Sequence, residues 1–178
     1  EWIEIDPSWV ATPTTYVGFS GQTAWGERST IPFYARSLDW QESDDFLVSV
    51  ITAFGSPAGS VRVGGRGEFR GVMLESFRRS RIEGHFNGDG LRAWDVEWGQ
   101  ARGHVVIEDS YVHVTGGVVV EGDSEARVDG RFSMGTPRRD GGEEFRASVR
   151  LVRRDLADLR HAFELDDYPI DGKTSGAV

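Results

Sequence analysis

Apolar and polar residues alternate along most of this chain. Val61, Val63, Phe69 and Met73 share one parity, with Gly65, Gly67 and Gly71 between them, while Arg62, Arg66, Glu68 and Arg70 hold the other. Ala126, Val128, Phe132 and Met134 alternate with Arg127, Asp129, Arg131 and Ser133, and Phe145, Ala147, Val149 and Leu151 with Glu144, Arg146, Ser148 and Arg150. Successive side chains of a strand point to opposite faces, so this period predicts antiparallel sheet, wet on one face and apolar on the other. Ile82 and Phe86 continue the pattern through Gly84. A change of phase between Leu91 and Ala93 and the following Trp94, Val96 and Trp98 predicts a bulge or bend near Ala93. Further short strands are expected at residues 2–5, 16–19, 23–25, 31–37, 105–107, 111–115 and 118–120.

Turn residues separate these runs. Asn87-Gly88-Asp89-Gly90 contains two favoured hairpin pairs, and Gly116-Gly117, Gly122-Asp123 and Asp140-Gly141-Gly142 read as further turns. Two segments have helical spacing instead. Ser43 is placed to cap a helix carrying Phe46, Leu47, Val50, Ile51 and Phe54, stopped by Gly55 and Pro57. Asp155 is placed to cap a second, with Leu156, Leu159, Ala162 and Phe163 on one stripe. Phe54 and Phe163, Val61 and Ile170, and Gly67 and Gly176 keep one common offset, so the two helices suggest a long repeat with junctions near 43–57 and 155–169.

Composition agrees with many turns. Glycine supplies 23 of 178 residues, well above the usual ~7%. The charge is −9, with 20 basic residues dispersed among 29 acidic ones. No basic stripe exists to follow a phosphate backbone, so nucleic acid is not an expected partner. Without cysteine there are no disulfides or thiolate metal sites. No signal peptide is seen, and no apolar run approaches the ~18–20 residues of a membrane-crossing helix. The chain opens in a strand-like stretch at Glu1–Ile5 and stops within what reads as a new strand at Ser175–Val178. We therefore expect residues 1–178 to be a single β-rich segment of a longer, repetitive protein.

Candidate chemistry is sparse. In Trp94-Asp95-Val96-Glu97-Trp98 the two carboxylates would share a strand face ~6.5–7 Å apart. That spacing suits a glycosidase pair, and the tryptophans suit stacking on sugars, as in a carbohydrate-binding or glycosidase-like β-sandwich. The simpler account is an amphipathic strand with Asp95 and Glu97 in water, since one such pair arises by chance in so acidic a chain. His85, His104, His113 and His161 are far apart in sequence, with no ligand spacing for zinc. Asp89, Asp123, Asp166, Asp167 and Asp171 lack the rhythm of a calcium loop. Gly64-Gly65-Arg66-Gly67 does not have phosphate-loop spacing. The clusters Arg78-Arg79-Ser80-Arg81, Arg138-Arg139 and Arg153-Arg154 read as solvated turns. What remains is the long apolar face. Either a second sheet covers it, as in a sandwich, or the sheet curls into an open trough.

The helix at Asp155–Phe163, followed by Asp166-Asp167-Tyr168-Pro169-Ile170-Asp171-Gly172-Lys173-Thr174-Ser175-Gly176, resembles the recurring link of the AsmA-like and TamB (translocation and assembly module) envelope proteins. Residues 66–71, 80–86 and 126–132 add to that likeness, which spans 57–178. The resemblance implies a mainly β, antiparallel and strongly curved sheet, a taco-like open groove with two short helices. It implies a non-enzymatic segment without cofactor or metal, in a periplasmic protein anchored to the inner membrane outside these residues. Phospholipid is the implied cargo, with neighbouring β segments of the same chain and an outer-membrane barrel protein as implied partners. On this reading Val61, Val63, Phe69, Met73, Ile82, Phe86, Val128, Phe132, Met134, Phe145, Val149 and Leu151 line the groove.

Overall fold

The computed structural model describes residues 1–24, 27–43, 45, 63–77, 79–93, 96–134, 142, 144–162 and 165–178. Ten strands form one antiparallel sheet in sequence order: β1 (Trp2–Ala11), β2 (Thr15–Ala24), β3 (Arg28–Ser37), β4 (Gly64–Ser76), β5 (Arg79–Ala93), β6 (Val96–Glu108), β7 (Tyr111–Glu121), β8 (Ser124–Ser133), β9 (Phe145–Asp155) and β10 (Lys173–Ala177). The sheet is open, with β1 and β10 at its edges. It is mainly β and antiparallel, as the period of two predicts.

Among the described residues there is no second sheet, so the sandwich alternative does not hold there. The exposed area agrees. The chain exposes 11390 Å², whereas a compact monomer of 19.7 kDa would expose about 8,600 Å².

Several expected short strands merge. Residues 16–19, 23 and 24 belong to β2, with residue 25 outside the described residues, and 111–115 and 118–120 belong to β7. Gly116-Gly117 is therefore a bulge inside β7, where Gly116 has φ 60° and the register shifts, and not a turn. Asn87-Gly88-Asp89-Gly90 is not a hairpin turn either. β5 runs through it to Ala93, which pairs with Val96, and the phase breaks at Gly90 (φ 62°) and Gly99 (φ 88°). Gly122-Asp123 does join β7 to β8, with Gly122 at φ 58°. The β6–β7 hairpin turns on Asp109-Ser110, both at positive φ (48° and 64°).

Helix α1 (Leu156–Ala162) follows β9, and Asp155 Oδ1 accepts from the Ala157 amide at 2.9 Å, which is the expected cap. The earlier helix begins sooner than expected. Residues 40–43 are already helical, and Asp39 is the capping side chain, accepting from the Gln41 amide at 3.0 Å. Ser43 lies inside the turn, buried and bonded through its hydroxyl to Ser37 and Thr15. Phe46 to Pro57, Asp140-Gly141, Arg138-Arg139 and Phe163 lie outside the described residues. Both helical connections leave the same end of the sheet, after β3 and after β9.

Candidate functional site

The register aligns the apolar parities of neighbouring strands into rows that run across the sheet. One row reads Ile31, Met73, Ile82, Ile107, Val112, Phe132, Phe145 from β3 to β9. The next, two residues along each strand, is Phe33, Gly71, Gly84, Val105, Val114, Gly130, Ala147. Beyond it come Ala35, Phe69, Phe86 and Gly103, then Gly117, Val128 and Val149. Bulges in β6 and β7 absorb the phase shifts that would otherwise break the rows, and Gly103 lies against Gly117 across them.

The rows differ in relief. The first is bulky on every strand, the second holds Gly71, Gly84 and Gly130 among larger members, and the third is bulky at Phe69, Phe86, Val128 and Val149 but small at Ala35, Gly103 and Gly117. Gly71 pairs with Gly84, and a Cβ on Gly84 would stand 2.2 Å from the Arg70 carbonyl and 2.6 Å from the Gly71 Cα. Close backbone approach thus excludes side chains there. Phe69 leans over this strip; its Cε1 would lie 2.5 Å from a Cβ on Gly71, and its ring stacks on Phe33 with centroids 5.6 Å apart at 12°. The outcome is a shallow channel, railed by the first row on every strand and by the third on β4, β5, β8 and β9.

Of the residues expected to line a groove, Phe69, Met73, Ile82, Phe86, Val128, Phe132, Phe145, Val149 and Leu151 share this one face. All are half-buried except Phe145, which is 54% exposed. Val63 immediately precedes β4, Met134 follows β8, and Val61 lies outside the described residues. Ile31, Phe33, Val105, Ile107, Val112 and Val114 belong to the same face, and only the register identifies them. Their alternation was visible, but not which parity of each strand continued the apolar side.

One end of the face is closed by an arginine. Arg154, read from sequence as part of a solvated turn, is instead a strand residue only 2% exposed. Arg153 takes φ 50° and the β9–β10 register shifts there, so Arg154 returns to the side of Val149 and Leu151. Its guanidinium donates to Glu121 Oε2 (2.8 Å) and to the Glu97 carbonyl (3.0 Å), pairs with Asp158 of α1 (2.7 Å), and stands 4.7 Å over the Trp98 ring. β9 and β6 are three strands apart, a span of ~14 Å in a flat sheet, and an arginine reaches roughly half of that. The sheet is therefore bent toward its apolar face at this end. Trp40, in the other helical connection, places its ring 5.7 Å from Phe86 on the same face.

Of the Trp94–Trp98 cluster, only Val96, Glu97 and Trp98 are among the described residues, and Trp94 and Asp95 lie outside them. Glu97 is exposed on the polar face, opposite Arg92, while Trp98 turns to the apolar side beneath Arg154 and donates Nε1 to the Ala93 carbonyl at 3.0 Å. His85 and His104, distant in sequence, meet across β5 and β6 with ring centroids 5.1 Å apart. No group of three His, Cys, Asp or Glu side chains suited to a metal is found among the described residues.

The polar face carries ion pairs. Glu144 accepts from Arg131 (2.5 and 3.0 Å) and pairs with Arg146 (3.0 Å), and the Arg131 hydrogen bond holds its carboxyl below the ordinary glutamate value. Asp123 is lowered likewise by Lys173, which reaches from β10 at 2.8 Å.

Fold and site together define an open antiparallel sheet, a single layer among the described residues, with a channelled apolar face. No family model, curated protein or solved structure matches the chain.

Proposed function

We propose that this chain is a segment of an intermembrane lipid-transport or outer-membrane biogenesis protein, and that its apolar face receives phospholipid acyl chains. The observation that carries this reading is the channel between bulky rails, over which no second sheet lies among the described residues. The rows run perpendicular to the strands, so the channel follows the direction in which strands are added. Six inter-strand spacings from β3 to β9 make it about 29 Å long, roughly twice the depth one leaflet's acyl chain occupies in a ~30 Å hydrocarbon core. Each methylene removed from water gains ~0.8 kcal/mol, so a chain lying there is held without any polar contact. The first row repeats with bulky apolar side chains at every strand from β3 to β9, and a lipid gains little by stopping at one place along it. That permits sliding.

Photocrosslinking in cells tests the reading. A benzophenone residue at Phe69 or Phe132 should yield phospholipid adducts, and one at His85, on the polar face, should yield none. Adducts to protein alone at both apolar positions would overturn the proposal.

A further inference from the structure

The polar face is uneven. From β4 onward it carries many charges, among them Arg66, Glu68, Arg70, Glu83 and Arg102, beside Val72, Leu74, Val106 and Tyr111. Across β1–β3 the same face carries Trp9, Tyr16 and Tyr34. Trp9 is 66% exposed and Tyr16 45%. The register sets Trp9 beside Gly18 and Gly18 beside Tyr34.

Gly18 is the seat of this cluster. A Cβ there would stand 3.1 Å from Tyr16 Oη and 3.3 Å from Cε1, so the Tyr16 ring folds over the bare backbone. Trp9 lies within 23° of the same plane, with centroids 6.2 Å apart. At that separation near-parallel rings are displaced sideways, and both side chains stay exposed. Tyr34 extends the surface by one strand. Its hydroxyl donates to Glu68 (2.9 Å), and Arg70 stands 5.0 Å over its ring. Ser20 and Pro32 complete the shallow depression between these aromatics.

We propose that Trp9 and Tyr16, with Tyr34 at their rim, form a glycan-binding platform, stacking on the C–H faces of consecutive pyranose rings in a β-linked oligosaccharide. This is independent of the acyl-chain reading, which uses the opposite face. Pyranose rings combine an apolar face with a hydroxyl rim. The platform matches both: Trp9 and Tyr16 are exposed rings, and Ser20 with the Tyr34–Glu68–Arg70 group supplies polar atoms beside them. The Trp9 and Tyr16 centroids, 6.2 Å apart, are close to the step between neighbouring sugar units in an extended chain. An anionic membrane surface fits less well, because the chain carries a charge of −9.

Titrating the purified chain with cellohexaose and chitohexaose, by calorimetry and tryptophan fluorescence, tests this. Saturable binding to at least one is expected, with a Kd of about 0.1–1 mM. Trp9→Ala and Tyr16→Ala should each weaken it by about tenfold or more. Tyr16→Phe, which keeps the ring and removes the hydroxyl, should retain it. Trp2→Ala, at an exposed aromatic on the same face but away from the platform, should leave it unchanged. Circular dichroism of each variant separates lost binding from lost fold, and Trp9→Phe should keep part of the affinity. Absence of binding to both sugars overturns the proposal, as does wild-type affinity in Trp9→Ala. A fluorescence response to phosphatidylcholine vesicles but to neither sugar also overturns it, and assigns the rings to a membrane surface instead.

Discussion

Arg154 shows how much one side chain can hold together. Its cation is shared by Glu121 of β7 and Asp158 of α1, and it also satisfies a β6 carbonyl. Arg154→Met keeps the length and removes every one of these bonds. The acids left behind are 45% and 35% exposed and can rehydrate, so the expected loss is moderate, about 1–3 kcal/mol in urea unfolding. Arg154→Lys should recover only part, because an ammonium lacks the planar fork that serves several acceptors. Its neighbour Arg153, 61% exposed, should cost under about 0.5 kcal/mol as Ala. The arginine pair was visible in the sequence, but its division into one buried and one exposed member was not. That division depends on the positive φ at Arg153, for which an arginine gives no local signal. Glu144 supplies a second prediction. Its folded-state carboxyl titrates below the ordinary glutamate value, so its contribution is present above the unfolded value near 4.5 and is lost as pH falls through the lowered one. Melting temperature followed from pH 6 to pH 2 should drop less steeply in Glu144→Gln than in wild type.

Among elements, glycine was the most informative residue type and also the most misleading. Alternation alone gave antiparallel strands and the shared face of Phe69, Phe86, Phe132 and Phe145, because period two survives any ignorance of partners. Placing the turns was harder. Asn87–Gly90 and Gly116-Gly117 have the composition of hairpin loops, yet both lie inside strands. A bulge and a tight turn both need positive φ, and a bare backbone also permits close strand contact, so one dipeptide serves all three. The true β6–β7 turn uses Asp109-Ser110, which carries no glycine. Substitution distinguishes these uses. Gly84→Ala drives a Cβ into the backbone of β4 and should destabilise by about 1–3 kcal/mol. Gly176→Ala on β10, with nothing within 4 Å of the added carbon, should change stability by under about 0.5 kcal/mol. Thermal unfolding of the two variants side by side checks both.

For the whole molecule, the central quantity is apolar area left without a protein layer. A globule of this mass hides its apolar side chains. Here Val112, Ile31, Ala35, Ala101 and Ala126 are buried, but most of the larger side chains of the face are only half-buried, and the only described elements that lie over it are the helical connections at one end. Such a surface either has an occupant or is a liability, since exposed apolar patches of this extent drive association. An acyl-chain occupant makes a prediction that a protein occupant does not. Ile107 sits between Ile82 and Val112 in the bulky row, with Met73 and Phe132 further along on either side. Met73→Asp with Phe132→Asp puts a carboxylate on each flank while leaving Ile107 itself intact. Both positions are half-buried, so the charges reach water and the sheet should still form, as far-ultraviolet circular dichroism would report. A lipid chain lying along the row must pass both carboxylates, so a benzophenone at Ile107 should lose most of its phospholipid adduct in this double variant. Gln substitutions at the same two positions, polar but uncharged, should lose less. If the adduct at Ile107 persists undiminished beside two carboxylates, the chain does not run along the rows, and the direction of transport inferred from the register is wrong.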